Sequence, residues 1–225
     1  MARCRRISAG GYCYHVINRG NQKQTVFHDR EDFSRFMSLV SRACERIPMR
    51  ILAWCLMPNH FHLVLWPEHD GDMSRWMHWL LTSHVRWHHG RRGTCGRVWQ
   101  GRFKSFPIEQ DHHLLRVLRY VERNPPRAGL VKRAEQWVWS SVQAWLGRAE
   151  TKILHPGPVE RWQDWLGFVN ETIEPAELKA LRNCAHREAP YGGEEWTAVT
   201  ARELGLEWTL RGRGRPTNRR QATDG

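Results

Sequence analysis

His60-Phe61-His62 is the arrangement in this chain with the most direct chemical meaning. In an extended strand, residues two apart project from one face, so both imidazoles can meet one cation while Phe61 turns into the core. Pro58-Asn59 precedes the pair, so the histidines stand at the mouth of a tight turn between two apolar runs, where a site is rigid. A second group lies in Leu118-Arg119-Tyr120-Val121-Glu122-Arg123-Asn124, where Tyr120 and Asn124 share one helical face. Taken singly, each has an ordinary structural use: histidines on a surface strand, a tyrosine packed on an amphipathic helix, an asparagine capping a helix before proline. Together they set a phenol nucleophile and a hard oxygen ligand against two imidazoles. A divalent cation held by His60, His62 and Asn124 would act as a Lewis acid on a phosphodiester and orient it for in-line attack by Tyr120. Imidazole and oxygen ligands with positions left open suit Mg²⁺ or Mn²⁺.

The elements that must position these groups are legible in the apolar patterning. Gly11–Gly20 alternates and ends at Gly-Asn, which predicts a first strand closed by a turn. Asp29–Ile47 carries apolar residues at helical spacing with acidic residues in its first turn, and Pro48 ends it. Arg50–Met57 is an apolar run of strand length, and Phe61–Trp66 follows the Pro-Asn turn, so the two should pair antiparallel. Asp72–His89 predicts a second helix and Gly90–Gly96 a loop. Arg102–Ile108 predicts a fourth strand, which Pro107 favours at an edge, and Gln110–Arg123 a third helix that Asn124-Pro125-Pro126 should end. The order strand, helix, strand, strand, helix, strand, helix implies an α+β fold of ferredoxin-like or RRM-like type, a palm with an antiparallel sheet and helices packed on one face. The other face is then open to a ligand.

Charge is distributed unevenly along the chain. The net charge is +12, yet residues 1–145 hold 23 Lys and Arg against 11 Asp and Glu, while residues 146–225 hold 12 of each. The whole excess therefore sits with the candidate site, where a polyanion would dock. From Met73 to Ile108 there is no acidic residue, and Arg91, Arg92, Arg97, Arg102 and Lys104 are interleaved with Trp99 and Phe103. Cations that neutralise phosphate beside rings that stack bases are what a single-strand groove needs, although some of these rings must also serve the core. Asn18, Arg19 and Asn21, at the end of the first strand, suit base edges or phosphates, though a turn at Gly20-Asn21 alone would explain part of that motif. His15 on the same strand either neighbours the site or is an ordinary strand histidine.

The run Trp54-Cys55-Leu56-Met57-Pro58-Asn59-His60-Phe61-His62-Leu63-Val64 resembles the signature of the single-tyrosine His-hydrophobe-His transposases that mobilise single-stranded DNA. More narrowly, it is similar to the REP-associated tyrosine transposases of bacteria. Tyr14–Asn21, Val98–Ser105, Arg119–Val131 and Trp139-Ser140-Ser141 extend the resemblance, in order, over about residues 11–145. The resemblance implies an α+β palm and cleavage of hairpin-bearing single strands at repetitive extragenic palindromes, through a 5′-phosphotyrosine and a free 3′-hydroxyl. It also implies that the polar side chain one turn after the tyrosine, here Asn124, completes the metal site. Asparagine stands where glutamine is associated with this role in the wider superfamily. Arg127, in the same motif, joins Arg19, Arg102 and Lys104 as an expected DNA contact.

These features divide the chain into a catalytic domain over 1–145, a helical extension over 146–210 with short helices near Pro175–Asn183 and Glu194–Leu204, and a basic tail over 211–225. In the tail, Arg213 and Arg215 belong to an Arg-Gly-Arg-Pro segment similar to an AT-hook, which either enters an A·T minor groove or adds solubility. The six cysteines form no C-x-x-C pair, which predicts reduced thiols, and no apolar stretch is long enough to span a membrane. The expected protein is a cytoplasmic, nucleoid-associated bacterial enzyme, a monomer or homodimer acting on single-stranded DNA hairpins. The rival from the same residues is a binder of palindromic DNA or RNA hairpins with a silent site, which would not require His60, His62 and Tyr120 together.

Overall fold

A computed structural model describes residues 7–148 and 153–211. Four strands, β1 (Cys13–Arg19), β2 (Arg50–Met57), β3 (His60–Trp66) and β4 (Lys104–Ile108), form one sheet in the order β2-β3-β1-β4, with every neighbouring pair antiparallel. This is the ferredoxin-like order, and β4 lies at an edge as Pro107 suggested. With the strands go the helices α1 (Arg30–Arg46), α2 (Asp72–Arg92) and α3 (His112–Glu122); short α4 (Asn124–Arg127) and α5 (Val142–Trp145) follow. The C-terminal part adds α6 (Trp165–Asn170), α7 (Pro175–Arg187), α8 (Glu194–Glu203) and α9 (Glu207–Leu210). No described helix is long and apolar enough to cross a membrane.

Alternation along the strands sorts their side chains between two cores. Tyr14, Val16, Trp54, Leu56, Phe61, Leu63 and Leu65 face α1 and α2, joined by Phe36, Leu39, Trp76 and Leu80. Cys13, Ala53, Cys55, Met57, Val64 and Phe106 face the other way and meet Leu114, Leu118 and Val121 of α3 together with Trp165, Val169 and Leu181 of the extension. The α+β palm therefore holds, with α1 and α2 side by side on one face. The face that the sequence suggested was open carries α3 and part of the C-terminal region, because its strand residues are as apolar as those on the first face. Coverage of both faces is also why β2 reads as an unbroken apolar run rather than an alternating one. The histidines of β3 stand at the end of the sheet where β1 finishes and β3 begins.

One element end differs from expectation. Gly90 stays inside α2, which runs on to Arg92 and is closed by Gly93 at φ 60, a conformation that glycine adopts without penalty. Asn124-Pro125-Pro126 does end the third helix, as expected, but the chain then turns again. α3 ends at Glu122, and a new turn begins in which the prolines occupy first-turn positions that lack an intrahelical donor anyway. The described cysteines Cys13, Cys44, Cys55, Cys95 and Cys184 are unpaired.

Candidate active site

The β2–β3 turn is held from two sides before it delivers the histidines. The Pro58 carbonyl accepts from Val26 N and Phe27 N, and the Asn59 carbonyl accepts from Gly20 N at 2.8 Å. Gly20 is needed for this approach, since a Cβ there would lie 2.3 Å from the Gln24 carbonyl oxygen. Asn59 Nδ2 donates to Lys23 O, which turns its Oδ1 toward His60 Nδ1 at 2.6 Å. The His60 proton is thus fixed on Nδ1, and Nε2 is left with a lone pair.

His62 is fully sequestered. Its Nδ1 lies 2.8 Å from His15 Nε2, the rings stack at 5.1 Å, and His62 Nε2 is buried with no hydrogen-bond partner. An orphaned ring nitrogen beside a second free imidazole nitrogen is the donor pattern that a metal ion would satisfy, so the residues present fit a cation here. Burial keeps His62 well below the usual imidazole range and His15 at about 3, while burial with the nearby Arg19 and Arg127 lowers His60 to about 4. All three rings are neutral near pH 7, the state in which imidazole coordinates metals.

Tyr120 reaches the same point from the opposite side. α3 starts at Asp111, whose carboxylate caps His113 N, and its apolar residues seat it on the sheet. The far end is pinned by Glu122, whose carboxylate accepts from Ser141 Oγ at 2.6 Å and Trp165 Nε1 at 2.7 Å, and burial raises its pKa. Between these anchors the Tyr120 ring stands edge-on to His62 at 5.8 Å and to His15 at 6.0 Å. The expected opposition of phenol and histidine pair is present.

Asn124 lies on the Tyr120 side but is engaged within the protein. Its Nδ2 donates to Tyr120 O at 2.8 Å and Val121 O, and its Oδ1 accepts from Arg127 Nη2. One lone pair of Oδ1 is left for a metal. Arg127 in turn lies 5.4 Å from the Tyr120 ring centroid, so the cation expected to touch DNA stands beside the tyrosine itself. Arg19 pairs across the strands with His60, placing its side chain on the sheet face that bears the histidines.

The other expected DNA contacts divide. Arg97, Arg102 and Lys104 are exposed. Arg97, Trp99, Arg102 and Phe103 line a cleft of about 710 Å³ against α2 residues Met77, Leu81 and Val85. Trp99 and Phe103 are nonetheless only 6% and 4% exposed and belong to the α1–α2 core, with Trp99 edge-on to Phe61 at 5.2 Å, so neither presents an open stacking face. Arg91 and Arg92 are absorbed by α1: Arg91 pairs with Asp29, Glu31 and Asp32, and Arg92 with Asp32 at 2.5 Å. Asn18 is buried, donating to Gly101 O and accepting from Arg19 N, and Asn21 N donates to Val98 O. Those two hold the loop beside the site. Arg213 and Arg215 lie outside the described residues.

Three features were not singled out as site residues in the sequence. His15 is the hydrogen-bond partner of His62, which only the β1–β3 register could reveal. Asp111, His112 and His113 bring their ligand atoms within 4.8 Å of one another at the start of α3, away from the histidine pair on β3. The third is the approach of α7 to the site, with Ala185 and His186 beside Ile17 and Arg19.

The family model described as "Transposase IS200 like" matches residues 9–124. The REP-associated tyrosine transposase of Escherichia coli K12 is 25% identical over 169 residues, covering 72% of this chain and 88% of its own length. A Haemophilus influenzae protein, provisionally named for the same role, is 26% identical over 169 residues, covering 66% of this chain and 95% of its own. The solved structure of a REP-associated tyrosine transposase bound to a REP hairpin superposes with a TM-score of 0.56 at 21% identity, over 77% of this chain and 99% of that one. The last of these speaks for the fold. The matched segment contains the histidine pair, the tyrosine and the asparagine, and the chain belongs to the IS200-like transposase family.

Proposed function

We propose that this chain is a metal-dependent single-strand DNA endonuclease and strand transferase that acts on hairpins of repetitive palindromic type through a 5′-phosphotyrosine at Tyr120. The observation that carries the proposal is the Tyr120 ring set 5.8 Å from His62, whose buried Nε2 has no partner. Membership of a transposase family and likeness to proteins named REP-associated tyrosine transposases support the reaction class, and a structural relative bound to a REP hairpin supports the substrate.

His60 and His62 would hold Mg²⁺ or Mn²⁺, with Asn124 Oδ1 as a third ligand through the lone pair that Arg127 leaves. When bound, the cation would supply Lewis-acid polarisation of the scissile phosphate. The chain's own groups do the rest. The Tyr120 phenolic oxygen attacks phosphorus and gives up its proton. The bond from phosphorus to the 3′-oxygen breaks, and that oxygen leaves as a 3′-hydroxyl while the 5′ phosphate stays on the tyrosine. Attack by a 3′-hydroxyl reverses the exchange, so the phosphodiester's energy is conserved and no nucleotide cofactor is needed. Arg127 and Arg19 bring positive charge to the side of the histidines on which the phosphoryl oxygens would lie. Arg97, Arg102 and Lys104 supply grip on the backbone.

The catalytic unit is residues 1–145, the extension runs over 146–210, and the tail over 211–225 adds affinity. We place the protein in the bacterial cytoplasm with the nucleoid, as a monomer or homodimer. The test is incubation of the protein with end-labelled hairpin single strands and Mn²⁺. A shortened strand and a covalent protein–DNA band are expected. Binding without either product would favour the alternative, a hairpin-binding regulator on the same fold.

A further inference from the structure

A cleft of about 490 Å³ opens beside the histidine pair. Its floor is the end of β1, where Ile17 pairs with His62 and Arg19 with His60, so it lies on the sheet face that carries the proposed metal ligands. One wall is Gln100 to Arg102 with Lys104, and the opposite wall is Ala185 and His186 of α7. The helix is set firmly in this position. Leu181 is fully buried, Glu177 takes both hydrogen bonds from Arg119 at 2.7 and 2.8 Å, and Lys104 Nζ donates to His186 O at 3.0 Å.

Leu178, Leu181 and Ala185 of α7 turn toward the core, while Arg182 and His186, four residues apart, are exposed on neighbouring turns. Arg182 lies within electrostatic range of Arg127, the cation beside Tyr120. Arg19, Arg102 and Lys104 line the cleft, Arg182 stands near it on the side of Arg127, and among the described residues no acidic side chain lines the cleft. A volume of this size admits a nucleotide. Apart from the His186 imidazole the lining has no ring for stacking, so the chemistry suits phosphate and sugar rather than base edges.

We infer that α7 is a working wall of the catalytic cleft, and that Arg182 and His186 bind the phosphodiester backbone of the single strand flanking the scissile phosphate. The inference rests on the proposed DNA-cleaving function and gives the C-terminal extension a part in it. Arg182 would supply an ionic contact and His186 a hydrogen bond, and neither would read sequence.

The test is equilibrium binding in EDTA, so that cleavage plays no part. The probes are a fluorescein-labelled palindromic hairpin with a blunt stem, the same hairpin with a 5′ or 3′ oligothymidine extension, and oligothymidine alone. The wild type should bind one extended hairpin more tightly than the blunt one. Arg182→Ala with His186→Ala should lose that gain while binding the blunt hairpin normally. An ionic contact to a single strand adds about 0.7 to the slope of log K against log salt, so a fourfold rise in salt should cost the wild type about threefold more affinity than Arg182→Ala. Arg182→Lys should restore the slope, and thermal melting of each variant would register any loss of fold. An extension that adds nothing to wild-type binding, or a double variant that keeps the whole gain, would overturn the inference. The covalent adduct on the extended hairpin with Mn²⁺ is scored separately in the wild type, and its absence there would count against the catalytic proposal alone.

Discussion

Replacing His15 by phenylalanine should weaken metal binding by about 10- to 100-fold, the usual effect of removing a group that orients a metal-ligating histidine. For His62 Nε2 to offer a lone pair, the ring proton must sit on Nδ1, where His15 Nε2 at 2.8 Å accepts it. His15 itself is fully buried against Phe106 at 5.0 Å, so a phenyl ring of similar shape can occupy the space and delete only the acceptor. The buried N–H left behind costs about 1–3 kcal/mol. The same range follows from the affinity side, since a 10- to 100-fold loss corresponds to about 1.4–2.7 kcal/mol. Titration calorimetry with Mn²⁺ alone measures the affinity, and thermal melting with and without Mn²⁺ separates it from general destabilisation. His15→Gln, which keeps an acceptor, should recover most of the loss. A phenylalanine variant that binds Mn²⁺ as tightly as wild type, or a glutamine variant as weak as phenylalanine, would refute the argument.

His60→Ala and His62→Ala should each abolish Mn²⁺-dependent cleavage while hairpin affinity in gel shifts stays near wild type; Asn124→Ala should be milder in cleavage, because a water can replace one neutral oxygen ligand, but should lower the melting temperature through the bonds lost to Tyr120 O and Val121 O. His84 is buried among Phe27, Phe36 and Trp99 with neither ring nitrogen partnered, and burial holds its pKa at about 3. The unfolded chain therefore takes up the proton first as pH falls below about 6.5, so stability is full above that pH and declines toward about 3. His84→Leu should reduce the loss between about pH 7 and pH 5 by about 2 kcal/mol in urea titrations, and an unchanged loss would show that His84 is already protonated when folded.

Much of the fold was open to inspection because its central strands are apolar runs of strand length bounded by turn residues. β2 spans the predicted Arg50–Met57, and β3 begins at His60, one residue before the predicted start. The histidine pair of the candidate site was legible for a local reason: residues two apart on a strand share a face without tertiary knowledge, whereas Tyr120 and Asn124 fall on two successive helices. What stayed hidden depends on distant partners. The charges of Arg91 and Arg92 looked available to phosphate because Asp29 and Asp32 lie far away in sequence, and only packing of α1 on α2 brings them together. Trp99 and Phe103 fitted the pattern of base-stacking rings as well as that of core, since composition cannot tell a buried indole from an exposed one. Proline chemistry rightly ended α3 at Asn124-Pro125-Pro126, but it did not show that the same residues form the first turn of a new short helix. The approach of α7 to the active site was invisible because nothing in its own apolar spacing says which surface it covers.

The account's central claim is a covalent bond between DNA and one named side chain. Protein incubated with a hairpin single strand and Mn²⁺, digested by protease and nuclease, and read by tandem mass spectrometry should yield the peptide containing Tyr120 with a 5′-linked nucleotide on its phenolic oxygen. The peptide should be unmodified in Tyr120→Phe, in His62→Ala and in EDTA. A nucleotide found on Tyr12, Tyr14 or Tyr191, or an adduct that persists in Tyr120→Phe, would contradict the account.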